Sequence, residues 1–184
     1  MTAPTPTVLN FKRLSVRYDA SEDRLRIDAV DDTGAACGFW LTRRLAAAWL
    51  KAMADWLQKT SPAAAAVPEP VRQQAVAMEN AVIVGRRARD VAPMVPPQPL
   101  AGLIASIDLN RRGAQWSMVF KTAASAAQLN PAQGQLSCDA GTVHQVAQAL
   151  VHQMQTAQWA EPIDLGWLAP AVASQAAVPG TLLN

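Results

Sequence analysis

The sequence predicts an α+β fold of two fused βββα-like units with pseudo-twofold symmetry, whose antiparallel sheets are each covered by an amphipathic helix. Three observations predict this class: apolar and polar residues alternate along four segments, two longer segments repeat apolar residues at helical spacing, and the same element order recurs in both halves. The units are residues 8–60 and 101–159, separated by a linker with a short element at 61–100 and followed by an extended tail at 160–184.

The first unit begins with a predicted β-hairpin. Leu14 and Val16 alternate with polar residues, and Leu25 and Ile27 do the same after the turn-forming segment 19–23. This period of two is typical of strands that turn one face inward. A short third strand at 37–41 is then expected to run directly into a helix.

Residues 41–58, LTRRLAAAWLKAMADWLQ, form the clearest helical pattern of the chain. Thr42 is a suitable N-cap, and the alanines that follow favour a helix. The apolar stripe consists of Leu45, Trp49, Leu50, Met53, Trp56 and Leu57. Because two tryptophans on one stripe bury a large area, we expect this helix to cover a sheet.

The middle of the chain is rich in proline and alanine. SPAAAAVPEP begins the linker at Ser61, and VAPMVPPQPL ends it at residue 100. Between them, residues 71–81 fit a short helix with Pro70 at its first position. Residues 81–84 fit the start of a strand equally well, so both interpretations stay open.

The second unit repeats the pattern of the first. Residues 103–109 and 116–120 alternate around a turn at 110–113, residues 135–138 fit a short strand, and a helix is expected from Thr142 to about Trp159. The two helices align without gaps at an offset of 101 residues, which places Cys37 on Cys138 and Met53 on Met154.

Composition limits the classes of function. The 184 residues are 51% hydrophobic and 16% charged, which is typical of a globular protein, and the net charge of +2 is too small to dictate a nucleic-acid or membrane partner. The N-terminus lacks a secretory pattern and no apolar run is long enough to span a bilayer. We therefore expect a cytoplasmic protein that does not bind membranes, with Cys37 and Cys138 reduced and buried.

Catalytic and metal-binding patterns are missing from the sequence. His144 and His152 lie eight residues apart, about 12 Å along a helix, so they cannot chelate one ion, and a solvated helix face is the simpler interpretation. The sequence contains neither a GxSxG motif nor a phosphate-binding glycine loop. We predict no enzyme activity, no catalytic residue, no metal and no cofactor.

Arginines provide the candidate binding surface. Those of the first hairpin share the polar phase of their strands, a nearby tryptophan has the matching phase, and two further arginine groups occur at the start of the first helix and near residue 87. Cations are unfavourable at a helix N-terminus, so the arginines at the start of the first helix are a candidate anion site. A solvated surface is an equally good interpretation of the hairpin arginines, the helix-start arginines and the arginines near residue 87. The candidates are Arg13, Arg17, Arg24, Arg26, Trp40, Arg43, Arg44, Arg86, Arg87 and Arg89.

These features predict a non-catalytic binding or assembly protein that acts through protein–protein contacts, with another protein or with a second copy. The alternative is single-stranded DNA or RNA binding, in which the guanidinium groups meet phosphates and the aromatic ring stacks on a base. The order of elements over most of residues 8–159 resembles that of the PC4, Whirly and PUR group of single-stranded nucleic-acid binders. That resemblance implies a nucleic-acid partner on the hairpin faces.

Overall fold

Six strands and four α-helices form the part of the chain that the computed structural model describes, which is residues 8–87, 95–113, 115–123 and 133–159. The strands are β1 (Val8–Asp19), β2 (Arg24–Asp31), β3 (Ala36–Leu41), β4 (Leu100–Arg112), β5 (Gln115–Thr122) and β6 (Gln133–Cys138). The helices are α1 (Arg43–Thr60), α2 (Pro62–Ala65), α3 (Arg72–Arg87) and α4 (Ala140–Thr156). A 3₁₀ turn (Glu69–Val71) precedes α3.

The strands form one mixed sheet that closes into a barrel in the order β1-β2-β3-β4-β5-β6. Neighbours within β1–β3 and within β4–β6 are antiparallel, whereas β3 pairs with β4, and β1 with β6, in parallel. The predicted α+β class is confirmed. The expected separate antiparallel sheets are instead one sheet, because the two parallel pairings join their edges and remove the exposed strand edges.

Helix α1 buries its apolar stripe against strands of both halves of the barrel and against α4. Thr42 is its N-cap, as predicted, and its side chain accepts a hydrogen bond from the Leu45 backbone N–H. The Trp49 ring lies edge-on to Phe120 of β5 with centroids 5.5 Å apart, and Trp56 packs on Trp116 at 4.6 Å. The first helix therefore packs its tryptophans on the second hairpin.

Helix α4 makes the reciprocal contact with the first hairpin. Gln153 Oε1 accepts a hydrogen bond of 2.8 Å from the Tyr18 backbone N–H of β1, and Trp159, just beyond the helix, packs edge-on against the Tyr18 ring. Each helix also contacts strands of its own half, since α1 packs on β2 as well as β4, and α4 packs on β5 and β6 as well as β1. Because one closed barrel replaces the two expected sheets, the covering of each sheet by its own helix is not confirmed.

The third strand and the helix after it recur at a separation of 97 residues. This separation relates both ends of the strand and the N-cap: Ala36 to Gln133, Leu41 to Cys138, and Thr42 to Asp139. It also places every buried residue of α1 on a buried residue of α4. This separation differs from the predicted offset of 101 by about one helical turn, and an apolar stripe fits both values because residues four apart share a face of a helix.

Helix α3 occupies the middle of the predicted linker. The helical interpretation of this segment is correct and the strand interpretation of residues 81–84 is wrong, since the helix runs from Arg72 to Arg87. Its buried side carries Val76 and Asn80, and it packs against α1, α2 and α4. The helix thus forms a layer outside the barrel rather than a flexible connection.

Candidate functional site

A buried carboxylate organises the arginine-bearing face of the first hairpin. Asp28 of β2 is fully buried, and it forms ion pairs with Arg17 of β1 and with Arg26, whose Nε lies 3.1 Å from both carboxylate oxygens. A buried charge is strongly unfavourable unless it is paired and hydrogen-bonded. Two of the predicted binding arginines therefore neutralise Asp28.

Residues 95–99 cover this same face. The Gln98 backbone N–H donates a 2.8 Å hydrogen bond to Asp28, the Gln98 carbonyl accepts one from Arg26, and the Val95 N–H donates to the Ser15 hydroxyl at 2.8 Å. Gly38 permits this approach, since a Cβ atom there would lie 3.0 Å from both an Asp28 oxygen and the Gln98 carbonyl. The end of the predicted linker is therefore bound to the sheet.

The other predicted binding residues of the first hairpin and its neighbouring strand are Trp40, Arg13 and Arg24. Arg26 lies opposite Trp40 on β3, with its guanidinium carbon 5.6 Å from the ring centroid. Arg13 is exposed on β1, and Arg24 is half-buried opposite Asp19 at the turn. The structure thus brings together Arg17, Arg26 and Trp40, but both guanidinium groups bind Asp28, and Arg26 also donates to the covering segment.

Arg43 and Arg44 are exposed in the first turn of α1. The Arg43 guanidinium carbon lies 5.9 Å from the centroid of the Trp159 ring. The indole N–H of Trp159 donates a 3.1 Å hydrogen bond to Asp23, and this bond, followed by one from the Tyr18 hydroxyl, lowers the pKa of the Asp23 carboxyl. Arg43 therefore has an aromatic and acidic environment that its position in the helix does not reveal.

The third arginine group falls at the limit of what is described. Arg86 and Arg87 are the last two residues of α3. Arg89 lies outside the described residues.

The outward side of α3 carries apolar side chains that the sequence interpretation missed. Met78 is 72% exposed, Val82 52% and Val71 38%, and the half-buried Ala75 continues the row. Their spacing of i, i+4, i+7 and i+11 places them along one side of a helix, with Val71 immediately preceding its first turn. That spacing was available in the sequence, but the open choice between helix and strand concealed it.

A cavity of about 140 Å³ lies where α1, α2, α3, α4 and the β4–β5 hairpin meet. Its apolar wall includes Leu57 and Trp116, and its polar wall includes Ser61, Glu79 and His144. The Ser61 hydroxyl donates a hydrogen bond to Glu79 and also caps α2 by accepting one from the Ala64 N–H. The site therefore joins residues from the linker to both large helices.

His144 is the most unusual group in this cavity wall. It is fully buried, its Nδ1 lies 3.1 Å from the Asn80 side-chain oxygen, and its Nε2 has no hydrogen-bond partner among the described residues. Burial lowers the pKa of the imidazole, an effect that the nearby Glu79 charge opposes. The ring is therefore neutral at pH 7, and with Nδ1–H donating to Asn80 its Nε2 is an acceptor.

The prediction of a solvated face for both histidines is correct only for His152, which is exposed. His144 is buried because α3 lies over that side of α4 and supplies Asn80. It is also the one buried residue of α4 whose counterpart 97 residues earlier, Ala47, is only half-buried. The packing of α3 on α4 therefore buries the polar side chain of His144.

The two cysteines are buried and free, as expected. Burial raises the pKa of the Cys37 thiol and of the Cys138 thiol to about 11. Both thiols are therefore protonated at neutral pH and pack as small apolar groups rather than nucleophiles.

Within the described ranges, no group of three or more His, Cys, Asp or Glu side chains is placed to hold a metal ion. Over the same residues, every helix is too short or too polar to cross a bilayer.

A scan of protein-family models and searches of curated proteins and of solved structures give no match to this chain.

Proposed function

We propose that this chain is a non-catalytic binding protein that acts through protein–protein contacts, and that the outward side of α3 is its contact surface. The observation that carries the proposal is the exposed apolar row of Val71, Met78 and Val82. Apolar side chains in a continuous exposed row mark interaction surfaces more often than single exposed residues do. A flexible methionine at the centre of such a row suits contact with another apolar surface.

The spacing of the row indicates how a partner would bind it. Anchors at i, i+4, i+7 and i+11 are those of an amphipathic helix that lies in an apolar groove. The opposite side of α3 is already fixed through Val76 and Asn80, so the helix is formed before binding and little ordering entropy is lost. The groove belongs either to another protein or to a second copy of this chain.

Site-specific photo-crosslinking in the source cell tests this proposal. A crosslinking amino acid at position 78 should capture protein, while the same residue at Gln73, which is exposed on a different side of α3, should not. Met78→Glu in the presence of a crosslinker at position 82 should abolish capture, whereas Gln73→Glu should not. Sedimentation of the purified protein identifies self-association. Equal capture at positions 73 and 78, or none at either, contradicts the proposal.

We also propose that residues 8–60 and 101–159 are two related βββα units arranged about a pseudo-twofold axis. The 97-residue separation of buried positions supports this, as do the two parallel pairings, β3–β4 and β6–β1, which such an axis would exchange. In an alignment of homologous chains, matching side-chain classes should recur 97 residues apart. If residues 97 apart in that alignment match no more often than unrelated positions do, a common origin of the two units is contradicted.

Single-stranded nucleic-acid binding is the competing proposal. Arg26 beside Trp40 and Arg43 beside Trp159 favour it, because paired guanidinium and aromatic groups are used to bind phosphates and bases. The ion pairs of Asp28 and the covering segment 95–99 oppose it, since they occupy Arg17 and Arg26.

Fluorescence anisotropy with a labelled oligonucleotide separates the two proposals. Nucleic-acid binding predicts salt-sensitive affinity that falls on Arg13→Ala and Arg43→Ala, with Lys59→Ala as the exposed cation control. A flat titration at low salt eliminates this alternative without affecting the crosslinking result.

A further inference from the structure

The apolar row on the outward side of α3 has the spacing of a coiled-coil seam. Val71, Ala75, Met78 and Val82 follow one another at intervals of four, three and four residues, which is the a/d pattern of a heptad. The backbone is helical through this row, since Arg72, the residue after Val71, has φ −57° and ψ −42°. A strict a/d row is narrower than the apolar stripe of a core-facing helix. The row therefore fits one facing helix.

This row is complementary in size to a second copy of itself. When two such helices lie antiparallel with a and d positions facing each other, Val71 meets the partner's Val82. In the same register, Ala75 meets the partner's Met78. Twofold symmetry repeats both contacts, so the seam has two layers of paired valines outside two layers that pair the largest side chain with the smallest. Such pairing fills a helix interface evenly.

The charges beside the row are complementary in the same register. Arg72 and Glu79 both occupy the e position of the heptad, and e positions face each other in an antiparallel pair, so Arg72 lies opposite the partner's Glu79. Arg72 is exposed and has no ion pair among the described residues, and the half-buried Glu79 uses only Oε2 to accept from Ser61. A parallel pair would instead place Glu79 opposite the uncharged Gln74. Flanking charges therefore favour the antiparallel orientation.

We propose that α3 binds the α3 of a second copy of this chain as an antiparallel pair. This inference rests on the protein contact proposed above for the outward side of α3, and it names the partner. The row from Val71 to Val82 is about 16 Å long. Stable interfaces bury roughly 1,200 Å² or more, so this short seam forms a reversible dimer whose population rises with protein concentration. Pairing leaves Val76 and Asn80 in their buried positions.

Sedimentation equilibrium of the purified full chain over a range of concentrations is the first test. The wild-type chain should show a monomer–dimer equilibrium. Arg72→Glu should raise the dissociation constant at least about tenfold, because both symmetry-related ion pairs become repulsive. Gln73→Glu adds a negative charge at the next exposed residue, away from the seam, and should leave the dissociation constant nearly unchanged.

Disulfide formation between two variants tests the register. An equimolar mixture of Val71→Cys and Val82→Cys chains, one of them labelled with ¹⁵N, should form the mixed disulfide under mild oxidation. Neither variant alone should form a disulfide, because Val71 lies about 16 Å along the seam from the partner's Val71, whereas the Cα atoms of a disulfide lie within about 7 Å. Both positions are exposed, and the native cysteines are buried.

The outcomes separate this inference from the proposed function. A chain that stays monomeric at every concentration overturns the self-pairing, and so does a disulfide that forms in either variant alone. If the purified chain is monomeric while the crosslinker at position 78 captures a protein of a different mass, the protein contact stands and only the self-pairing fails. A monomeric chain without capture at position 78 contradicts both.

Discussion

Helices α1 and α3 are both amphipathic, but they place their apolar side chains on opposite sides with respect to the core. Helix α1 buries its apolar stripe in the barrel and exposes Lys51 and Asp55, which form an i,i+4 ion pair. Helix α3 turns Asn80 inward beside Val76 and exposes Met78 and Val82. Amphipathicity alone therefore does not indicate which side of a helix is structural; the neighbours that cover it decide.

The largest difference should appear when one apolar residue of each helix is truncated. Leu50→Ala in α1 should lower the free energy of unfolding by about 3 kcal/mol, because it removes a fully buried side chain and leaves a cavity. Met78→Ala in α3 should change it by less than about 0.5 kcal/mol. Urea denaturation of both variants measures this. Similar losses would mean that the outward row of α3 is covered within the chain.

A second prediction concerns the polar contact that holds α3 on α4. Asn80→Ala should destabilise the protein by about 2 kcal/mol, since the buried His144 Nδ1 then loses its partner. Gln73→Ala, on an exposed side of the same helix, controls for helix propensity and should be nearly neutral. Proteolysis within α3 should accelerate in Asn80→Ala alone. Equal stability of the two variants would show that Asn80 does not position the helix.

A third prediction follows from the lowered pKa of His144. Below its ordinary value of 6.5, the unfolded chain binds a proton that the folded chain does not, so this contribution to stability is complete above pH 6.5 and falls as the pH decreases. A single titrating group limits this loss to at most about 1.4 kcal/mol per pH unit. His144→Gln should remove this pH dependence, whereas His152→Gln should keep it. Urea denaturation of both variants between pH 7 and pH 5 measures how the free energy of unfolding changes with pH. The same change with pH in His144→Gln and His152→Gln would contradict this prediction.

The last prediction concerns Trp49→Phe in α1, which should change the free energy of unfolding only slightly. The buried Trp49 indole N–H has no partner among the described residues, so its removal relieves an unsatisfied donor while a smaller ring stays against Phe120. The stability gained by removing the unsatisfied donor and the stability lost with the smaller ring should nearly cancel. The free energy of unfolding should therefore change by no more than about 1 kcal/mol. Trp49→Ala, which removes the ring as well, should cost about 3 to 5 kcal/mol. Equal losses would mean that the indole nitrogen is satisfied in solution.

Local patterns predicted the local elements well. The hairpins follow from alternation, and α1 with its Thr42 cap follows from helical periodicity, because both signals arise within a few residues. Closure of the barrel was missed because β3–β4 and β1–β6 join segments about 60 and 125 residues apart, and no short window records such pairing.

The errors at the candidate sites have the same origin. Asp28 has the polar phase of its strand, which favours a solvated position, yet residues 95–99 bury it. His144 has the polar phase of its helix and is buried by α3. In both cases the covering segment belongs to the predicted linker, whose composition gave little indication that it would pack on the rest of the chain.

The aromatic contacts between α1 and β5 have a consequence for folding. Residues 8–60 alone would expose Trp49 and Trp56, which Phe120 and Trp116 cover in the intact chain. Neither half can complete its core by itself, so both should unfold in a single cooperative transition. The two halves belong to one covalent chain, so this mutual covering is intramolecular and its stability does not depend on protein concentration.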